Sequence, residues 1–372
     1  KVSNNLSNRN LIINGAMQCW QHGTSSTTDG YSTADMWKTS YGGENEDPTF
    51  SQQDLTSSDT GPWEKGFRHA LKVTNGNQTS TDADDYLIIS QRFEAQTLGC
   101  SGWDYTSTSS YITLSFWVRS SVAQNFYGYL RTEDGTGQLY PFETGSLSAN
   151  TWTKITKSIP GHANVQFDTD THANSIARAA ILDIWPFGGT DYSASPTLNT
   201  WANYSSGARF PANTATWWTT DNATFAITGV QLEVGDTATT FEHRSYADEL
   251  ARCQRYYTVL LKGNGGSDGT GNAQLSVGYV ASSSVIIGCA QLPVQMRATP
   301  SIDHTSGTSY WEFTGGGTTT NISSALQASS QNNISWGYAF TGATGLTAGH
   351  AGRFSRNNDD IADRIFAATA EL

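Results

Sequence analysis

The residues best suited to chemistry in this sequence are its clustered carboxylates. Asp82, Asp84 and Asp85 stand just ahead of a strand-like run, and Asp168 and Asp170 precede His172. Carboxylates this close together in loops can supply oxygen ligands to a hard cation such as calcium. Neither group follows the spacing of a calcium loop, and a solvated acidic loop is the commoner outcome. No metal is expected, and Asp82, Asp84 and Asp85 are the best calcium candidates. The 7 histidines never occur as His-x-x-x-His, so no zinc pattern exists. There is no Gly-x-Ser-x-Gly elbow, and no cysteine has a recognisable histidine partner. A glycosidase needs only two carboxylates across a cleft, which could come from anywhere in the chain. The expectation is a protein that is not an enzyme and carries no cofactor.

Stacking is the other chemistry on offer. Flat rings pack against the C–H faces of sugars while Asn and Asp hydrogen-bond their hydroxyls. Trp103 and Tyr105 (GWDY), Trp185, Tyr192, and Trp217 with Trp218 fall outside the clearest strand-core positions of the first part of the chain; Tyr310, Trp311, Trp336 and Tyr338 do so in the last part. Core packing is the commoner use of any one large ring. Trp103, Tyr105, Tyr310, Trp311, Trp336 and Tyr338 are the expected ligand contacts, with the segments Tyr310–Phe313 and Trp336–Tyr338 favoured because they lie beside Gly, Ser and Asn turns.

Strands must position these rings. Aromatic residues make up 12% of the chain, charged residues only 15%, and the 36 glycines come with abundant Ser and Thr, a composition of short strands and turns. In Tyr111–Arg119 the residues Ile112, Leu114, Phe116 and Val118 share one face, with Thr113, Ser115 and Trp117 on the other. Further strands are predicted at Asn10–Asn14, Phe67–Thr74, Tyr86–Phe93, Phe126–Thr132, Thr151–Ile159, Ser175–Ile184 and Thr224–Val234, while Tyr41–Pro62 reads as a long loop. The all-β expectation is a jelly-roll β-sandwich over residues 10–243 after a short lead-in (1–9), then a linking helix (244–258) and a smaller C-terminal β-sandwich (259–372). The helix follows from a change of period: Tyr246, Leu250, Cys253 and Tyr257 fall at helical spacing behind Ser245, which has Asp248 three places on. So short a helix needs a partner.

Several segments resemble a module found in bacteriophage tail fibre and virion structural proteins. They are NLIINGAM (10–17), YSTADMW (31–37), YITLSFWVRSS (111–121), TWTKITKSIPG (151–161), LNTWAN (198–203), ITGVQLEVG (227–235), FEHRSYADELA (241–251) and CQRYY (253–257), in the family's order. LPVQMRATPSI (292–302) is similar to the start of the variable tip that often follows. The resemblance implies a jelly roll like those of carbohydrate-binding modules, and a homotrimer whose seam takes Tyr246, Leu250, Cys253 and Tyr257. It also implies assembly in the host cytoplasm into a virion fibre or spike, with a host cell-surface glycan and other virion tail proteins as partners. A decoration or connector protein without receptor binding is the alternative; a glycan hydrolase or esterase is the third reading.

Charge and hydropathy narrow the partners. A net charge of −12 with scattered Lys and Arg argues against nucleic acid. No apolar run approaches the ~18 residues of a membrane-spanning helix, so no membrane insertion is expected. Cys19, Cys100, Cys253 and Cys289 are widely spaced and expected to be free thiols. The sequence opens at Lys1 without a signal-like segment, which fits a fragment or processed product.

Overall fold

The computed structural model describes residues 8–169, 175–262, 274–304, 311–322, 326–341, 345–356 and 365–372. It divides into two compact units, one running to Glu249 and including Leu372, the other Leu250–Glu371. In chain order the strands of the first unit are β1 (Ser25–Ser26), β2 (Lys38–Gly42), β3 (Thr49–Asp54), β4 (His69–Thr74), β5 (Tyr86–Glu94), β6 (Tyr111–Ser120), β7 (Asn125–Thr132), β8 (Gln138–Ser146), β9 (Thr153–Pro160), β10 (Arg178–Gly188), β11 (Ala202–Asn203) and β12 (Thr224–Val234). They form two antiparallel sheets, β1-β3-β4-β12-β6-β9 and β11-β8-β7-β10-β5-β2. Setting aside the short or peripheral β1, β2, β3 and β11, the first, last, third and sixth of the remaining strands lie side by side in one sheet. The second, seventh, fourth and fifth do so in the other. That interleaving is a jelly roll.

Alternation along each strand builds the core. Ile112, Leu114, Phe116 and Val118 of β6 and Phe225, Ile227 and Leu232 of β12 meet Leu87 and Ile89 of β5, Phe126 and Leu130 of β7, and Leu182 and Ile184 of β10. The outward positions of both sheets carry a second, largely aromatic layer.

Asn10–Asn14 is a structured loop rather than a strand, and side-chain hydrogen bonds hold it there. Asn14 adopts a left-handed backbone (φ 56°), and its carboxamide accepts from the amides of Gln18 and Cys19 and donates to the carbonyls of Cys19 and Asp35. Arg244 donates to the carbonyls of Asn10 and Ile12, and Glu249 accepts from the amide of Asn14. The loop expected at Tyr41–Pro62 contains β3, a polar strand (TFSQQD) whose buried ring is Phe50. With only one apolar side chain, this strand has no hydrophobic alternation.

The helix covers Tyr246–Gln254. Ser245 caps it as expected, its hydroxyl accepting from the Asp248 amide at 3.2 Å and donating to the Asp248 carboxylate at 2.6 Å. It is shorter than residues 244–258 because the β-branched Thr258 and Val259 enter a strand.

In the second unit the strands are β13 (Tyr257–Lys262), β14 (Gln274–Ser282), β15 (Val285–Gln291), β16 (Ser301–His304), β17 (Trp311–Gly315), β18 (Thr318–Ile322), β19 (Leu326–Gln331), β20 (Ser335–Thr341), β21 (Ala351–Arg356) and β22 (Ile365–Thr369). A three-stranded sheet, β13-β22-β16, and a seven-stranded sheet, β18-β17-β21-β14-β15-β20-β19, contribute to one core that includes Leu261, Ile286, Trp311, Phe340, Phe354 and Phe366. No helix among the described residues is long and apolar enough to cross a membrane.

Candidate functional site

The outer face of the sheet β11-β8-β7-β10-β5-β2 carries a terrace of tyrosines. Register creates it: Trp185 of β10 lies opposite Tyr127 of β7, and Asp183 lies between Tyr129 of β7 and Ser90 of β5. All of these point away from the core, because their neighbours Leu182, Ile184, Leu130 and Ile89 point into it. The segment after β10 folds back over this face and adds Tyr192, Tyr204, Arg209 and Phe210. Trp185 is fully buried at the centre, with ring centroids of Phe210 at 4.8 Å, Tyr192 at 5.3 Å and Tyr86 at 6.2 Å. Tyr127 stacks on Phe210 at 5.9 Å with 10° between the planes.

Tyr86, Tyr127, Tyr192 and Tyr204 remain half-buried. Two guanidinium groups lie among them: Arg131 sits 3.7 Å above the centroid of Tyr204, and Arg209 lies 4.8 Å from that of Tyr192. Burial pushes the phenols of Tyr86, Tyr127 and Tyr192 above their ordinary range, and the Tyr192 hydroxyl donates to the Asp84 carbonyl at 3.2 Å. Beneath them, burial raises the carboxyl of Asp183, opposed by hydrogen bonds from Ser90 and Tyr129 and by the charges of Arg209 and Arg92. The terrace sets four half-buried tyrosines and two guanidinium groups on one surface, one of which, that of Arg131, also pairs with Glu133 at 3.5 Å.

Of the residues singled out from the sequence, Trp185 and Tyr192 come together here. Trp217 and Trp218 are fully buried, the latter stacked on Phe187 at 4.9 Å, and belong to the core. Trp103 is also a core residue, 3% exposed, with Tyr105 half-buried against it and against Phe167. In the second unit Trp311 is 2% exposed, its ring 5.8 Å from Phe354 and 5.6 Å from Phe366, so it fills the core instead of forming a surface platform. Tyr310 lies outside the described residues; Trp336 and Tyr338 lie on β20, paired with Ala290 and Gly288. Tyr86, Tyr127, Tyr204, Arg131 and Arg209 were not singled out from the sequence, and no local pattern links them.

The Asp82–Asp85 loop does not bring its carboxylates together. Asp85 is buried and turned inward, Oδ2 accepting from the indole N–H of Trp218 at 3.1 Å and from the Asp82 amide at 2.7 Å, while Asp82 and Asp84 are exposed. Burial raises the Asp85 carboxyl. Asp168 is exposed; Asp170 and His172 lie outside the described residues. Of the four expected seam positions, Tyr246 is 57% exposed and Leu250 half-buried, whereas Cys253 and Tyr257 are buried within the single chain. Tyr257 lies on β13, off the helix, where its hydroxyl donates to Asp303 at 3.1 Å.

No protein-family model and no curated protein matches this sequence. Among solved structures, the enzymatically active domain of tailspike protein 4 from bacteriophage CBA120 aligns at 10% identity and a TM-score of 0.31, over 61% of this chain and 21% of that one. The tandem N-terminal CBM22 domains of Paenibacillus barcinonensis Xyn10C align at 10% identity and 0.30, over 99% of this chain and 100% of theirs. A CBM4 structure aligns at 10% identity and 0.30, over 60% of this chain and 98% of its own. At likenesses of this size the fold rests on the strand order itself.

Proposed function

We propose that this chain is a component of a bacteriophage fibre or spike that binds saccharides of the host surface without cleaving them, and that the tyrosine terrace of the first unit is the contact surface. One observation carries the reading: four half-buried tyrosine rings and two guanidinium groups share one sheet face, a combination suited to stacking on sugar rings and hydrogen-bonding their hydroxyls. The fibre-like motifs supply the setting, a homotrimer on a virion, in which three copies would strengthen a weak single-site affinity through avidity. Light scattering of the purified chain tests the trimer, and a monomer mass at micromolar concentration excludes it.

The binding test is an array of bacterial surface saccharides probed with the full chain, its Tyr192→Ala/Tyr204→Ala double variant and its Tyr127→Ala variant. The expected result is binding to particular saccharides that falls about tenfold or more in the variants, a loss of roughly 1.4 kcal/mol or more, at unchanged melting temperature. Equal binding of every neutral saccharide by the variants excludes the terrace. Absence of any bound saccharide excludes glycan recognition and returns the chain to a connector or decoration role.

A further inference from the structure

On the outer face of the other sheet lies a cleft of about 390 Å³, within the size range of small-ligand sites. Trp117 and Ser115 of β6 form its base with Phe67, Lys154 of β9 stands at one side, and the segment 238–243 after β12 closes another with Phe241 and His243. Lys65, at the end of a short 3-10 turn (Trp63–Lys65), completes the rim.

The cleft is kept open by backbone geometry. Gly229 has φ +62° at the irregularity in β12, and a Cβ there would stand 2.6 Å from the ring of Phe67. Only glycine gives both that backbone and that clearance. Phe67, Phe241 and His243 interlock, with centroids 4.8 Å, 4.9 Å and 5.1 Å apart. His243 Nε2 lies 2.7 Å from the Lys65 carbonyl, which fixes the imidazole at the rim with Nε2 donating.

Its charge runs against that of the chain. The sequence has 33 acidic residues against 21 Lys and Arg, yet Lys65 and Lys154 line this cleft and no carboxylate does. Neither lysine forms an ion pair among the described residues. Asp59, which packs beside Trp152 near this aromatic layer, has its carboxylate engaged by Arg119 at 3.1 Å, the Trp152 indole at 3.0 Å and the Thr56 amide at 2.9 Å. Two ammonium groups without ion-pair partners repel a cation and gain most from an anion, and the aromatic lining suits a ring, so an anionic ring uses both features.

We propose that this cleft is a second saccharide site, separate from the tyrosine terrace, selective for acidic sugars: the pyranose ring packs on Trp117 and Phe241 while its anionic group meets Lys65 and Lys154.

The test uses the full chain on immobilised oligogalacturonate, on the same oligosaccharide with its carboxyls reduced to alcohols, and on a sulfated neutral oligosaccharide. Binding to the carboxylated or the sulfated form, with the carboxyl-reduced form bound about tenfold or more weakly, is expected; comparison of the two acidic forms identifies the anionic group. Lys65→Ala/Lys154→Ala should abolish that preference at unchanged melting temperature, since both lysines are exposed. Trp117→Ala should weaken acidic and neutral forms together. Tyr192→Ala/Tyr204→Ala should leave acidic-sugar binding intact, so loss of the terrace and loss of this cleft are told apart. Equal binding of the carboxyl-reduced form, retention of the preference in the double lysine variant, or no binding of either acidic form would each overturn the proposal.

Discussion

The side-chain carbonyl of Asn10 accepts a hydrogen bond at 3.0 Å from the amide of Leu232, near the other end of the jelly roll in sequence. The same carboxamide accepts from the Ile12 amide at 3.0 Å and donates to the Val230 carbonyl at 3.2 Å, bridging the irregular part of β12. Asn10 is 4% exposed, so these groups have no water to replace it. Each buried polar group left unpaired costs about 1–3 kcal/mol, and Asn10→Ala should destabilise the first unit on the order of 3 kcal/mol. Asn10→Asp keeps the acceptor but buries a charge and sets a carboxylate oxygen against the Val230 carbonyl, so it should destabilise at least as much. Chemical denaturation of the two variants checks the order; an Asn10→Ala variant as stable as the wild type would remove the clamp from the account.

Asp183 should make stability depend on pH in a direction opposite to the usual carboxylate. Burial holds its folded-state carboxyl above the ordinary 3.8, outweighing the help of Ser90, Tyr129, Arg209 and Arg92. The folded chain therefore binds this proton more tightly than the unfolded chain. Its contribution is fully present below the unfolded value and is lost as pH rises through the folded one. Asp183→Asn retains an acceptor for Ser90 and Tyr129 and cannot ionise. The melting temperature of the variant minus that of the wild type should become more positive between pH ~3 and pH ~7. Asp85, raised in the same direction, is present in both proteins and cancels. A difference that stays flat or falls with pH would contradict the assignment.

Much of the fold was legible where one face of a strand is buried. The alternation of Ile112, Leu114, Phe116 and Val118 placed β6, and the same signal put Ser115 and Trp117 on the outward face that now lines the acidic-sugar cleft. Asn10–Asn14 misled because its apolar Leu11, Ile12 and Ile13 look like a strand, while Asn10 and Asn14 compete for the backbone with their own side chains. The motifs resembling fibre proteins turn out, at Asn10, Asn14, Arg244 and Glu249, to be mutual structural contacts within the first unit. Those contacts tie the N-terminal loop to the segment that follows β12. The terrace was only half visible: Trp185 and Tyr192 stand out by type, but Tyr86, Tyr127, Tyr204 and Arg209 join them through strand register and a folded-back loop, which no local spacing encodes.

Trp311 gives the sharpest separation between packing and recognition in the second unit. Its ring meets Phe354 and Phe366 in a core shared with Phe313 and Ile322, and it is 2% exposed. Truncating a buried Trp removes its apolar contacts and leaves a cavity, at a cost of about 3–5 kcal/mol. Trp311→Ala should therefore lower the melting temperature of the second unit, while Trp311→Phe, which keeps an aromatic ring against Phe354, should recover most of the loss. Saccharide binding by the first unit should be unchanged in both variants under conditions where that unit stays folded. Paired calorimetry and adsorption measurements check this. A Trp311→Ala protein that melts like the wild type but no longer adsorbs to cells would show that the ring is a contact surface after all, and would return the receptor site to the C-terminal unit.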